Sequence, residues 1–243
     1  MTELLYLWDS YAKDFEAKVT FSEGVEIELD RTLFYPVGGG QPTDQGTLEL
    51  GRNTWNVLEV RRRAGKILHK LDKEAPPLDS HITGHLDWDR RYSIMRYHTA
   101  LHVLSKVIYE LYGSEVSGNQ IYPNRARMDF TLDHLSAERL QTILENTHRV
   151  IEEARPIKIL FLPREEAAKV LDLKRTRLDL IPRSVTEIRI IDIDKFDREA
   201  CGGTHVQNTS EIGRLTVTKA LSKGKHNKRI EFTLSLPPHT NPN

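Results

Sequence analysis

Residues 201–205 read Cys-Gly-Gly-Thr-His, and well upstream residues 98–102 read His-Thr-Ala-Leu-His. Two histidines at i and i+4 share one face of a helix, roughly 5–6 Å apart at Cβ, so both imidazoles can reach one ion. A Cys-x-x-x-His loop can bring a thiolate and a third imidazole to the same point, with Gly202 and Gly203 expected to permit a sharp turn. Imidazoles plus one thiolate suit Zn²⁺ in tetrahedral geometry. The two segments therefore predict a single zinc site of His98, His102, Cys201 and His205, and a fold in which a helix meets a Gly-rich loop. A lone pair of helical histidines is often only two half-buried polar residues, and a lone cysteine is usually a small buried hydrophobe. The one cysteine of the chain falling in a second matching pair favours the metal. A zincin is excluded, because Thr99 stands where a metalloprotease helix carries its Glu base.

Outward from the histidines, Ile94–Leu111 places Tyr97, Leu101, Leu104, Ile108 and Leu111 at helical spacing. Ser93 is the expected cap and Gly113 the stop. Val116–Thr131 reads as two strands joined at Pro123-Asn124. Ser136–Arg155 is a second amphipathic helix, with Leu140, Ile143, Leu144, Val150 and Ile151 inward, broken by Pro156. Ile157–Leu162 is a strand and Arg164–Leu171 a short helix. Glu187–Ile193 is a β-branched strand leading into the Cys201 loop. Leu215–Leu221 and Arg229–Leu236 pair as a hairpin, and Pro237–Asn243 reads as a frayed tail. Residues 91–243 are thus expected to form an α+β zinc-binding domain with helices on an antiparallel sheet.

Residues 1–90 carry a different period. Phe15–Phe21, Val25–Asp30, Thr32–Tyr35, Gly46–Leu50, Trp55–Arg61, Lys66–Leu71 and His81–Trp88 are short strand candidates between turn residues. They predict a small β-barrel or sandwich, with a domain boundary near residue 90. Between two of them lies Tyr35-Pro36-Val37-Gly38-Gly39-Gly40-Gln41-Pro42. Three glycines between two prolines make a loop whose backbone can approach a ligand, with the Gln41 amide as donor and acceptor. A purely structural turn is the competing reading.

The chain has 243 residues, 38% apolar and 29% charged, with 35 basic and 35 acidic side chains. A zero formal charge leaves nucleic-acid binding to local patches. A single cysteine excludes an internal disulfide and fits a reducing compartment. Met1–Ser10 holds Glu3 and Asp9 and no basic stretch before an apolar run, and no segment approaches the ~18 apolar residues of a membrane span. A cytoplasmic protein with no membrane partner is expected.

The segments LFYPVGGGQPTDQG, HTALH, SGNQIYPNRARMDF and CGGTHVQNTSEIG, in this order along most of the chain, resemble the alanyl-tRNA editing family. That family comprises the editing domain of alanyl-tRNA synthetase and its free-standing relatives. The zinc-site region is also similar to the editing domain of threonyl-tRNA synthetase, and the N-terminal barrel with its Gly-rich loop resembles the medium-length free-standing form. Ser210 departs from the Gly that many relatives have before Glu-Ile-Gly, which concerns only a turn.

The resemblance implies a zinc-dependent aminoacyl-tRNA deacylase, one Zn²⁺ per chain, with His98, His102, Cys201 and His205 as ligands. Its substrate would be mischarged tRNA(Ala), chiefly seryl-tRNA(Ala), with glycyl-tRNA(Ala) as a further candidate. The Gly38-Gly39-Gly40-Gln41 loop would face the aminoacyl end. A pocket that hydrogen-bonds a substrate hydroxyl rejects the analogue lacking it by roughly 10⁴–10⁵. Ser117, Gln120 and Thr204 are candidates for such contacts, and Gln41, Ser117 and Thr204 for the catalytic set. Phosphates would meet basic clusters: Arg61-Arg62-Arg63, Arg90-Arg91 with Arg96, Lys174-Arg175 with Arg177, and foremost Lys223, Lys225, Lys228 and Arg229 at the hairpin tip. Four protein ligands would close a tetrahedral shell, which more often marks structural zinc. A tRNA-binding module with structural zinc therefore stays as the alternative. No obligate protein partner is evident, and a homodimer stays open.

Overall fold

The computed structural model describes residues 2–236, so the expected frayed tail at 237–243 lies outside the described residues. The chain divides into two compact units, Met1–Met95 and Arg96–Asn243.

In the first unit the strands are β1 (Glu3–Leu4), β2 (Asp14–Glu23), β3 (Glu26–Leu29), β4 (Arg31–Thr32), β5 (Gly46–Leu50), β6 (Asn53–Arg63), β7 (Lys66–Leu71) and β8 (His81–Leu86). Six of them close an antiparallel barrel in the order β2-β3-β7-β6-β5-β8. The cause is period-2 patterning: Phe15, Ala17 and Val19 on β2, Ile27 and Leu29 on β3, and Trp55 and Val57 on β6 turn into one core, and a register shift between Val57 and Glu59 turns Val60 into it as well. Closure leaves the barrel without an unpaired edge. The expected strand Thr32–Tyr35 shortens to β4. Side chains replace the ladder there: Phe34 N–H donates to Thr32 Oγ1 at 3.1 Å and Tyr35 N–H to Asp44 Oδ2 at 2.7 Å.

Helix α1 (Trp88–Tyr112) begins well before the expected Ile94. The start signal is Asp87, whose carboxylate accepts the Arg90 N–H at 3.1 Å while its carbonyl accepts that of Arg91. Asp87 is the cap, and Ser93 lies inside the helix. The division between the units falls within α1. Of the expected inward stripe, Tyr97, Leu101, Leu104 and Ile108 are buried, whereas Leu111 is exposed.

The second unit continues with β9 (Val116–Tyr122), β10 (Arg125–Thr131), α2 (Ala137–Glu152), β11 (Ile157–Pro163), α3 (Arg164–Val170), β12 (Glu187–Ile193), β13 (Asp197–Ala200), β14 (Leu215–Gly224) and β15 (Asn227–Leu234). The α+β layering is distributed over two antiparallel sheets, β14-β15-β10-β9 and β11-β12-β13. Ser136 Oγ caps α2 by accepting the Arg139 N–H at 3.1 Å. On the larger sheet, Tyr97 of α1 meets Phe232 of β15, ring centroids 6.0 Å apart, and its hydroxyl accepts the Leu234 N–H. Beneath α3, Ala167 and Leu171 pack with Ile188 and Ile190 of β12. Strand β13, the polar run Asp-Arg-Glu-Ala, has no β-branched residue to announce it; its register on β12 carries the chain straight into Cys201.

Candidate metal centre

Within the second unit, α1 and the loop after β13 bring four side chains to one point. The ligand atoms of His98, His102, Cys201 and His205 all lie within 4.8 Å of one another. Ring centroids are 5.2 Å apart for His98–His102, 4.2 Å for His98–His205 and 4.6 Å for His102–His205. Cys201 Sγ stands 3.5 Å from His98 Nε2 and 3.3 Å from His205 Nε2. Atoms sharing a tetrahedral zinc at ordinary bond lengths are about 3.3–3.6 Å apart, so the donor types and the two sulfur–nitrogen distances fit that ion.

The local backbone explains the convergence. Arg189, buried on β12, donates from NH1 to the carbonyls of Cys201 and Gly203 at 2.5 and 2.9 Å and so holds the loop closed. Gly203 N–H points at the sulfur, 3.4 Å away. Gly202 keeps an ordinary φ with open space where a Cβ would sit, so the expected role of its glycine freedom in the turn is not needed. Thr99, wholly buried, accepts the Val206 N–H at 3.3 Å and lies 3.1 Å from His205 Nδ1. A hydrogen on that Nδ1 leaves Nε2 as a lone pair facing the sulfur.

The electrostatics suit a cation. Enclosure opposes ionisation of the Cys201 thiol, but its interactions with the His98 and His205 imidazoles outweigh it and hold the thiol well below its usual range. Burial pushes His205 well below the ordinary histidine value, and the charge of His98 adds to this. For His102 burial acts the same way, yet the Glu199 carboxylate overrides it and raises the imidazole well above that value. An ionised sulfur and a neutral His205 are forms a metal takes, whereas His102 gives up a proton on binding one.

The other expected site residues are spread more widely. Thr204 is buried in the same loop. Ser117, exposed on β9, donates to Asn227 Oδ1 at 3.0 Å, and Gln120 donates to the Ile121 carbonyl at 3.3 Å. In the first unit Gly38, Gly39, Gly40 and Gln41 form a tight turn: Gly38 and Gln41 exchange backbone hydrogen bonds at 3.1 and 2.9 Å. Gly39 and Gly40 adopt φ of 58° and 82°, the conformation a type I′ turn demands. Gln41 is fully buried, so its amide is not presented at the surface of the turn.

Most of the basic clusters have internal partners. Arg91 is buried against Asp44, and Arg96 donates to the carbonyls of Glu211, Ile212 and Ser235. Arg175 is paired with Asp197, and Arg229 grips Asp129 at 2.6 and 2.7 Å. Lys228 is buried, its Nζ capping the carbonyls of Gly224 and Lys225 at 3.0 and 3.1 Å. Lys223 and Lys225 remain exposed at the hairpin tip, as do Arg62 and Arg63 in the first unit. Sequence reasoning missed Asp44, Arg189 and the His102–Glu199 contact, since polar residues inside strands and loops leave no periodic trace.

Residues 188–231, which run from β12 through the Cys201 loop into β15, match the family described as threonyl and alanyl tRNA synthetase second additional domain. Residues 4–90 match the class II (A) tRNA synthetases. Both matched families are thus described by reference to tRNA synthetases. Alanyl-tRNA editing proteins AlaX-M of Methanosarcina barkeri and Saccharolobus solfataricus are each 39% identical over 96% of this chain and 99% of their own. The alanine–tRNA ligase of Ignicoccus hospitalis is 36% identical over 95% of this chain but only 26% of the ligase. The chain belongs to the alanyl-tRNA editing family. Among the described residues no helix is long and apolar enough to cross a membrane.

Proposed function

We propose that this protein is a trans-editing hydrolase that removes the amino acid from mischarged tRNA(Ala), chiefly seryl-tRNA(Ala), at one zinc ion held by His98, His102, Cys201 and His205. The observation that carries the reading is the four-donor cluster, which gathers the lone cysteine and three histidines of a chain whose full-length relatives are named for alanyl-tRNA editing. Bound there, zinc supplies a Lewis acid that polarises a carbonyl and lowers the pKa of water towards ~7. The chain's own part is to hold the donors: Arg189 fixes the loop and Thr99 the His205 ring. Residues 91–243 would form the editing domain, and residues 1–90 the barrel that carries the Gly38–Gln41 turn. The exposed tip of that turn is a candidate tRNA contact, and its ends are closed by the Gly38–Gln41 backbone bonds.

The closed count of four protein donors favours a second reading, a tRNA-binding module with structural zinc. A deacylation assay over a panel of mischarged tRNAs, with metal content measured on the same preparation, separates the two. An editing enzyme hydrolyses seryl-tRNA(Ala) far faster than alanyl-tRNA(Ala). His98→Ala then still folds and binds tRNA but hydrolyses nothing. Full activity in that variant removes His98 from the essential set, and absence of hydrolysis by the zinc-loaded wild type supports the binding module.

A further inference from the structure

His102 differs from the other ligands in what stands behind it. Its Nδ1 lies 3.1 Å from Glu199 Oε2, and both side chains are largely enclosed. Glu199 is not isolated: Arg175 NH2 lies 3.5 Å from the same carboxylate oxygen. Arg175 also donates from NH2 to Asp197 Oδ2 at 3.0 Å, reaches Ser105 Oγ at 3.4 Å, and stacks over the Tyr109 ring with its centre 5.6 Å away. The spacing explains the assembly. His102, Ser105 and Tyr109 recur at i, i+3 and i+7 on α1, and Asp197 and Glu199 alternate onto one side of β13. The guanidinium fills the space between them, with its side chain 4% exposed.

His102, Asp197 and Glu199 could by donor type be a second cation site. Arg175 argues against it, because its guanidinium already pairs with both carboxylates and fills the space a cation would take. What remains for Glu199 is the hydrogen on His102 Nδ1. An imidazole that donates from Nδ1 presents its Nε2 lone pair on the opposite side of the ring, and a carboxylate acceptor makes that nitrogen a better ligand. We propose that Glu199, held by Arg175, is a positioning residue that fixes the orientation and tautomer of His102 so that Nε2 faces the metal. This rests on the zinc reading given above.

The test compares wild type with Glu199→Ala and Glu199→Gln. Zinc affinity is measured by competition with a chromogenic chelator, and the His102 Nδ1–H proton is followed by ¹H–¹⁵N NMR in zinc-loaded and metal-free protein. Glu199→Ala should bind zinc about 10–100-fold more weakly and lose the slowly exchanging Nδ1–H signal. Glu199→Gln keeps an acceptor oxygen but not the charge, and should retain the signal and an affinity between those of wild type and Glu199→Ala. Unchanged zinc affinity in Glu199→Ala with the Nδ1–H signal intact overturns the proposal, as does a loss in Glu199→Gln as large as that in Glu199→Ala. A wild type that binds no zinc would sink the metal reading alone. The metal-free NMR comparison then still decides the positioning: a protected Nδ1–H in wild type that vanishes in Glu199→Ala supports it, and its absence from wild type overturns it.

Discussion

Arg91 and Asp44 form an ion pair with no water access: Arg91 Nε stands 3.0 and 3.1 Å from the two carboxylate oxygens of Asp44, and the side chains are 0% and 1% exposed. The same carboxylate accepts the Tyr35 N–H, and Asp44 N–H returns a bond to the Tyr35 carbonyl at 3.1 Å. Tyr35 and Asp44 bracket the glycine turn, so this pair holds both of its ends.

Removing one partner strands a buried charge. Arg91→Met or Asp44→Asn should each lower the unfolding free energy by about 3–5 kcal/mol, read by urea denaturation of the full chain. A loss below about 1 kcal/mol, the range of exposed pairs, would contradict the burial argument.

His69, enclosed in the barrel core beside Phe34, lies with Nε2 2.9 Å from Thr32 Oγ1. Burial lowers its pKa from 6.5 to about 4, partly opposed by the Ile27 backbone. Between those values the unfolded chain binds the extra proton and the native one does not. The associated stability is therefore complete above pH 6.5 and is lost as pH falls towards 4, to a total of about 3 kcal/mol. His69→Gln should flatten that part of the pH–stability profile; an unchanged slope between pH 6.5 and 4 would refute the assignment.

At the hairpin tip the two exposed lysines and the buried one should behave differently. Lys223→Ala with Lys225→Ala should weaken tRNA binding and reduce the slope of log K against log salt by about 1 for each phosphate that is no longer neutralised. Lys228→Ala should instead lower stability, because its ammonium caps two carbonyls of the turn. Filter binding at several salt concentrations with thermal melts of the same variants distinguishes these outcomes.

The barrel and the donor cluster are legible in the sequence because each follows from a local rule. Alternation of Phe15, Ala17 and Val19 needs a one-sided core, and His98 with His102 needs only the helical repeat. The start of α1 is harder to place because a capping Asp87 directly follows a strand, so its polar signal merges with the strand's turn. The roles of Arg91, Arg96, Arg175 and Lys228 do not show in the chain. A cluster of cations looks the same in sequence whether it meets phosphates or internal carbonyls; here the partners Asp44, Ile212 and Asp197 come from elsewhere in the sequence, and Lys228 folds back onto Gly224 of its own turn.

Zinc K-edge X-ray absorption on the purified full chain tests the central claim most directly. One zinc per chain is expected, with a single sulfur at about 2.3 Å and three nitrogens at about 2.0–2.1 Å. A substoichiometric metal, or a coordination shell without sulfur, would contradict the assignment of Cys201 and the three histidines to one ion.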